Sequence, residues 1–190
     1  MSAAQPNPVY RASWHLARFL LRLLFHYRVE GAEKVPAEGP VILAANHLSI
    51  LDPIVVGAGI RRPVSFMARA DVFRLPFLSW LLPRLYAIPV ERGSGDLSAV
   101  KGAIRALERG MAFGIFPEGT RTAPGAPPAY KFGVAHLYAE LGVPCLPVAL
   151  NSGLYWPRRK FLRRPGTIRV EIMPPIAPGL DKTTFHRTLE

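Results

Sequence analysis

Two short stretches carry side chains whose types and spacing could do chemistry. In the first, Asn46-His47-Leu48-Ser49-Ile50-Leu51-Asp52-Pro53, a histidine precedes an aspartate by five positions. On one straight helix, positions five apart point about 140° away from each other, so His47 and Asp52 could pair only across a corner. The sequence supplies one. The apolar run "GPVILAAN" ends at Asn46, Ser49 can cap a helix with Asp52 three positions on, and Pro53 is tolerated near a helix start. Asp52 as the cap with Pro53 at the first helical position is the close alternative. Either way the carboxylate can reach one ring nitrogen of His47, which fixes the tautomer and leaves the other nitrogen as a base.

The second stretch is "FGIFPEGTRT", residues 113 to 122, where a strand runs into Pro117 and then Glu118, Gly119, Thr120 and Arg121. Backbone N–H groups and a threonine hydroxyl stand next to a planar guanidinium fork suited to phosphate. The stretch reads as an anion cradle; as a bare pattern it equally fits a tight turn with a surface ion pair. No G-x-S-x-G is present, and Cys145, the single cysteine, sits in the apolar "VPCLPVAL" and reads as a core residue. H-E-x-x-H is missing and the remaining histidines are scattered, so no metal and no cofactor are expected.

Together "NHLSILD" and "FPEGTRT" resemble the signature of the glycerolipid acyltransferases of the lysophosphatidic acid acyltransferase family, N-H-x-x-x-x-D followed by F-P-E-G-T-R-S. Two weaker blocks agree. "YAIPVER" is similar to the family's second motif, which ends in an arginine carried here by Arg92, and "VPCLPVAL" to its Pro-centred fourth. Lys131 falls where the family usually has a basic residue. Thr122 replaces the common serine and Ala87 a usual glycine. The resemblance covers roughly residues 30 to 175 and implies transfer of a fatty acyl chain from acyl-CoA or acyl carrier protein to the sn-2 hydroxyl of 1-acylglycerol 3-phosphate, making phosphatidic acid. By that resemblance His47 is the base and Asp52 orients it. Arg92, Glu118, Gly119, Thr120, Arg121 and Lys131 would then hold the acceptor phosphate. Glycerol 3-phosphate, another lysophospholipid or a lipoamino acid are alternative acceptors.

These residues need elements to position them. After a short strand at "YRVEGAEKVP", apolar strand runs alternate with helical ones: "GPVILAAN", "DPIVVGAGI", "PVSFMA", "LPFLSWLLPRL", "YAIPVE", "DLSAVKGAIRALERG", "MAFGIF", "FGVAHLYAEL", "CLPVAL" and "TIRVEIM". That alternation predicts a single α/β domain whose mixed, largely parallel sheet is covered by helices on both faces. The Pro-rich "TAPGAPPAY" is expected at a site rim, and Asp181 caps a short last helix. The very apolar "FRLPFLSWLLPRLY" reads as part of an acyl groove or, equally, as core through Phe77, Leu78, Trp80 and Leu81.

The chain carries 24 Lys plus Arg against 13 Asp plus Glu, a formal +11 that points to an anionic partner. From Val9 to Tyr27, Arg11, His15, Arg18, Arg22 and His26 fall on one narrow arc, with the rest of the helix apolar. This pattern suits an amphipathic helix lying on a membrane surface, residues 1–28, ahead of an acyltransferase domain at 29–190. The basic "YWPRRKFLRRPG" reads as a loop facing headgroups, or as a solvated one. No signal peptide and no spanning helix are expected, so the expected place is the cytoplasmic face of the membrane, peripheral or monotopic. The expected partners are a lysophospholipid, an acyl thioester and the membrane surface, with no nucleic acid: no fingerprint for nucleic acid accompanies the charge. A non-catalytic lipid-binding protein would not need His47 and Asp52.

Overall fold

The computed structural model describes residues 6–91, 97–157 and 163–190. Its strands are β1 (Arg28–Glu30), β2 (Val41–Ala45), β3 (Val64–Arg69), β4 (Ile88–Val90), β5 (Ala112–Ile115), β6 (Cys145–Leu150) and β7 (Arg169–Ile172). The helices are α1 (Pro8–Leu24), α2 (Asp52–Gly59), α3 (Pro76–Arg84), α4 (Leu97–Glu108), α5 (Gly133–Leu141) and α6 (Lys182–Leu189). The sheet order is β1-β7-β6-β2-β5-β3-β4. All pairings are parallel except β6 with β7, so the expected single α/β domain with a mixed, largely parallel sheet is what forms.

Central β2 is buried at every position, which is why it reads as an unbroken apolar run. Its side chains alternate between two cores. Val41, Leu43 and Ala45 face one that includes Leu21 and Phe25 and, from α2, Val55, Val56 and Ala58. Ile42 and Ala44 face the other, built with α4, α5 and α6 through Leu107, Tyr138 and Phe185. Cys145 is fully buried in the second core, where burial pushes its thiol up to about 12, consistent with a packing role. From β2 the chain moves through α2 to β3 on one side of the sheet, and from β5 through α5 to β6 on the other. The carboxyl ends of β2, β5 and β6 therefore meet where the strand order switches direction, the usual place for a ligand crevice in such sheets.

One cross-strand contact couples the core to that edge. Phe66 of β3 is paired with Gly114 of β5, and a Cβ at Gly114 would stand only 2.0 Å from Phe66 Cε1. Phe66 stacks on Phe116 at 5.8 Å, and Phe116 on the His47 ring at 4.1 Å. Gly114→Ala is expected to push Phe66 aside and destabilise the fold by about 1–3 kcal/mol, read as a lowered urea midpoint at unchanged slope.

Helix α1 stops at Leu24, three residues earlier than its pattern predicts, because Phe25 turns extended and plugs into the core. At about 100° per residue it has three faces. Tyr10, Trp14, Ala17, Leu21 and Phe25 point inward. Trp14 Nε1 donates to the Ile60 carbonyl at 2.8 Å and Arg18 Nη1 to the Ala58 carbonyl at 2.7 Å, serving the open carbonyl end of α2. Arg11, His15, Arg22 and His26 are exposed beside this inner face, and Leu16, Phe19, Leu20, Leu23 and Leu24 form an exposed apolar third face. Helix α3 overturns the core alternative for its stretch: none of its residues is buried, and Phe77 and Trp80 are exposed while Leu78 and Leu81 are only half covered. Asn7 ties the two helices together by donating from Nδ2 to the Arg84 carbonyl at 2.8 Å.

Candidate active site at three strand ends

The loop from Asn46 to Leu51 turns the chain from β2 into α2. Leu51 is the residue before the helix and Pro53 its second position, so Asp52 is not the cap; the side-chain contacts of the other alternative, Ser49 paired with Asp52 three positions on, do form, one turn ahead of the regular helix. Ser49 Oγ accepts the Leu51 N–H at 3.3 Å, and Asp52, first residue of the helix, reaches back over the loop. Asp52 Oδ2 accepts the Leu48 N–H at 2.7 Å and the Ser49 N–H at 2.8 Å, and lies 2.9 Å from His47 Nδ1. Its other oxygen accepts the Ser152 hydroxyl.

The Asp52 side chain is fully buried. A buried carboxylate is costly unless donors surround it, and these four supply that environment. With two backbone N–H groups already aimed at Oδ2, that oxygen can only accept. Nδ1 of His47 is therefore the protonated nitrogen. Among the described residues no group hydrogen-bonds Nε2, and the His47 side chain keeps 19% of its surface exposed. The ring lies flat on Phe116, with planes 19° apart, so its direction is fixed from both sides. The corner required by the five-residue spacing exists, and it delivers a tautomer-locked imidazole with an open basic nitrogen.

The strand β5 ends in the turn Phe116–Gly119, closed by the Gly119 N–H donating to the Phe116 carbonyl at 2.9 Å. Gly119 has φ +65, a left-handed conformation that favours glycine. Glu118 is buried, and its Oε1 accepts the His47 backbone N–H at 3.0 Å. Thr122 donates its N–H to the His47 carbonyl at 2.8 Å, so the second motif clamps the backbone of the first. Lys131 donates its N–H to the Pro117 carbonyl, and its Nζ lies 3.0 Å from where a Cβ on Gly119 would be. Thr120 is exposed and Arg121 half-buried on the same turn.

The structure thus assembles His47, Asp52, Glu118, Gly119, Thr120, Arg121 and Lys131 at one edge of the sheet. Arg92 lies outside the described residues, as do Arg158, Arg159 and Lys160 of the basic loop. Of that loop, Arg163 packs over the Trp156 ring. The Pro-rich segment lies next to the Glu118 turn. It roofs a cavity of about 430 Å³ lined by Asn46, Glu118, Thr122, Tyr130 and Asn151 among others, and His47 and Asp52 are not part of that lining.

The model of the Acyltransferase family matches residues 26–151, from β1 through the end of β6. The chain belongs to this family. It is 33% identical over 151 residues to the 1-acyl-sn-glycerol-3-phosphate acyltransferase of Pseudomonas aeruginosa, an alignment covering 78% of this chain and 58% of that protein. It is also 33% identical over 193 residues to the lyso-ornithine lipid O-acyltransferase of the same organism, covering 92% of this chain and 73% of that one. The chain therefore spans little more than half the length of the first relative. In fold it is similar to the crystal structure of the 1-acyl-sn-glycerophosphate acyltransferase PlsC from Thermotoga maritima, with a TM-score of 0.79 at 24% identity, covering 95% of this chain and 76% of that one.

Two sets of contacts at the site were not visible in the sequence. Asn46 crosses to β6, its Nδ2 donating to the Leu150 carbonyl at 3.0 Å and its Oδ1 accepting the Leu150 N–H at 2.6 Å. Ser152, whose hydroxyl reaches Asp52, arrives from the turn after β6, 100 positions from Asp52 in sequence. The available signal was its place, just past the end of a buried strand, as for His47 and Glu118.

Proposed function

We propose that this chain transfers a fatty acyl group from a thioester, acyl-CoA or acyl carrier protein, to the sn-2 hydroxyl of 1-acylglycerol 3-phosphate. Nε2 of His47 takes the hydroxyl proton as the oxygen bonds to the thioester carbonyl carbon. The C–S bond then breaks, and the leaving thiolate takes the proton back from the imidazolium. Asp52 stabilises that imidazolium, while Arg121 and Lys131, with Arg92, hold the acceptor phosphate against the Glu118–Thr120 turn. The observation that carries this reading is the 2.9 Å contact from His47 Nδ1 to a fully buried carboxylate, which leaves Nε2 open beside the anion-suited turn.

A second acceptor, a lyso-ornithine lipid, is favoured by the longer alignment to that relative. Both are decided by one assay. The full chain is mixed with acyl-CoA or acyl carrier protein thioester and either acceptor in vesicles, and products are weighed by mass spectrometry. Phosphatidate as the faster product supports the first reading, and the acylated aminolipid as the faster product selects the second. No product from any of the four combinations overturns both.

The exposed apolar face of α1 beside its basic arc supports docking on an anionic lipid surface as a peripheral or monotopic protein of the cytoplasmic face. Among the described residues no helix is long and apolar enough to cross a membrane. A Phe19→Glu, Leu23→Glu variant is expected to lower sedimentation with anionic vesicles at least about tenfold. Equal sedimentation would remove α1 as the docking face.

A further inference from the structure

We infer that Ser152 is a positioning residue for the His47–Asp52 pair, holding the Asp52 carboxylate so that one oxygen is free to serve the imidazole. The inference rests on the proposed reaction for its kinetic consequence, though not for its geometry. Ser152 is fully buried in the short 3₁₀ turn Ser152–Leu154 that follows β6, and its hydroxyl donates to Asp52 Oδ1. Three donors converge on Oδ2, so without Ser152 the opposite oxygen would be left without a protein partner and the carboxylate would be held through Oδ2 alone, free to swing about that oxygen and loosen its contact with Nδ1.

The surrounding backbone is built to deliver that hydroxyl. Asn46, next to His47, grips both backbone groups of Leu150, fixing where β6 ends relative to the catalytic loop. Three residues later the chain passes so close to the loop that a Cβ on Gly153 would stand 2.6 Å from Leu48 Cβ. The run Leu150-Asn151-Ser152-Gly153 therefore reaches Asp52 because one end is clamped and the other has no side chain to hold it off. The carboxylate thereby takes donors from the β2 loop on one side and from the end of β6 on the other.

The test reads the imidazole directly. Among the described residues, the titratable groups facing the pair are His47 and Asp52 themselves and Glu118, whose Oε1 accepts the His47 N–H. The ¹H resonance of the His47 Nδ1 proton, carried downfield by its contact with the Asp52 carboxylate, should move upfield in Ser152→Ala as that contact loosens. The kcat should fall about 10- to 100-fold with acceptor KM little changed. Ser152→Cys keeps the shape with a weaker donor and should fall between; it carries the test if the alanine variant does not fold. Added to Asp52→Asn, Ser152→Ala should cost little more. An unmoved Nδ1 proton resonance, or the same kcat loss in the Asp52→Asn background, would overturn the inference. If the wild type acylates no acceptor the proposed reaction fails, and the Nδ1 proton resonance still judges the Ser152 contact.

Discussion

His47→Ala is expected to lower kcat by at least about 10³-fold in a protein that still folds. The side chain is partly exposed and sits in a loop, so its removal costs its packing against Phe116 and one of the four donors to Asp52, together on the order of 2–3 kcal/mol. Its chemistry has no substitute: among the described residues no other basic nitrogen is both aimed by a buried carboxylate and open to a substrate hydroxyl. General base catalysis is worth typically 10²- to 10⁴-fold, and the same imidazole also returns the proton to the leaving thiolate. Product formation by mass spectrometry, with circular dichroism as the folding control, gives the answer. A folded variant retaining a tenth of the wild-type rate would remove His47 as the base.

How much of this was legible before the fold was known differs by element, for physical reasons. The strands at 41–45, 112–115 and 145–150 stood out because strands buried on both faces must be apolar throughout. Their order and the reversal of β7 were hidden, since neither is written in a local pattern. The apolar α3 was open to a core reading because hydrophobicity alone does not distinguish a buried helix from one that displays its face. The His47–Asp52 corner and the Ser49–Asp52 contact could be derived from spacing, yet the second backbone donor, the Leu48 N–H, could not, because it depends on how the loop curls over the carboxylate.

Long-range contacts set the other boundary. Glu118 and Thr122 could be named as a turn, but their role as clamps on the His47 backbone depends on β2 and β5 being neighbours. Asn46 and Ser152 require β6 on the opposite side of β2. The base is thus held by three strand ends that come together only in the folded sheet. A change far from His47, as at Gly114, can therefore reach it through two stacked rings.

Asp52→Asn tests the electrostatic part of this arrangement separately from its shape. The amide has two possible orientations. Its NH₂ placed where Oδ2 now lies would confront the N–H groups of Leu48 and Ser49, donor against donor, so the amide oxygen must take that position. His47 then still donates from Nδ1 to an oxygen, its tautomer survives, and Ser152 rotates to accept from the new NH₂. What disappears is the negative charge that stabilises the imidazolium formed as the hydroxyl is deprotonated. The expected loss in kcat is about 10²- to 10⁴-fold with little change in acceptor KM. A rate near wild type in Asp52→Asn would reduce Asp52 to a structural cap on the loop.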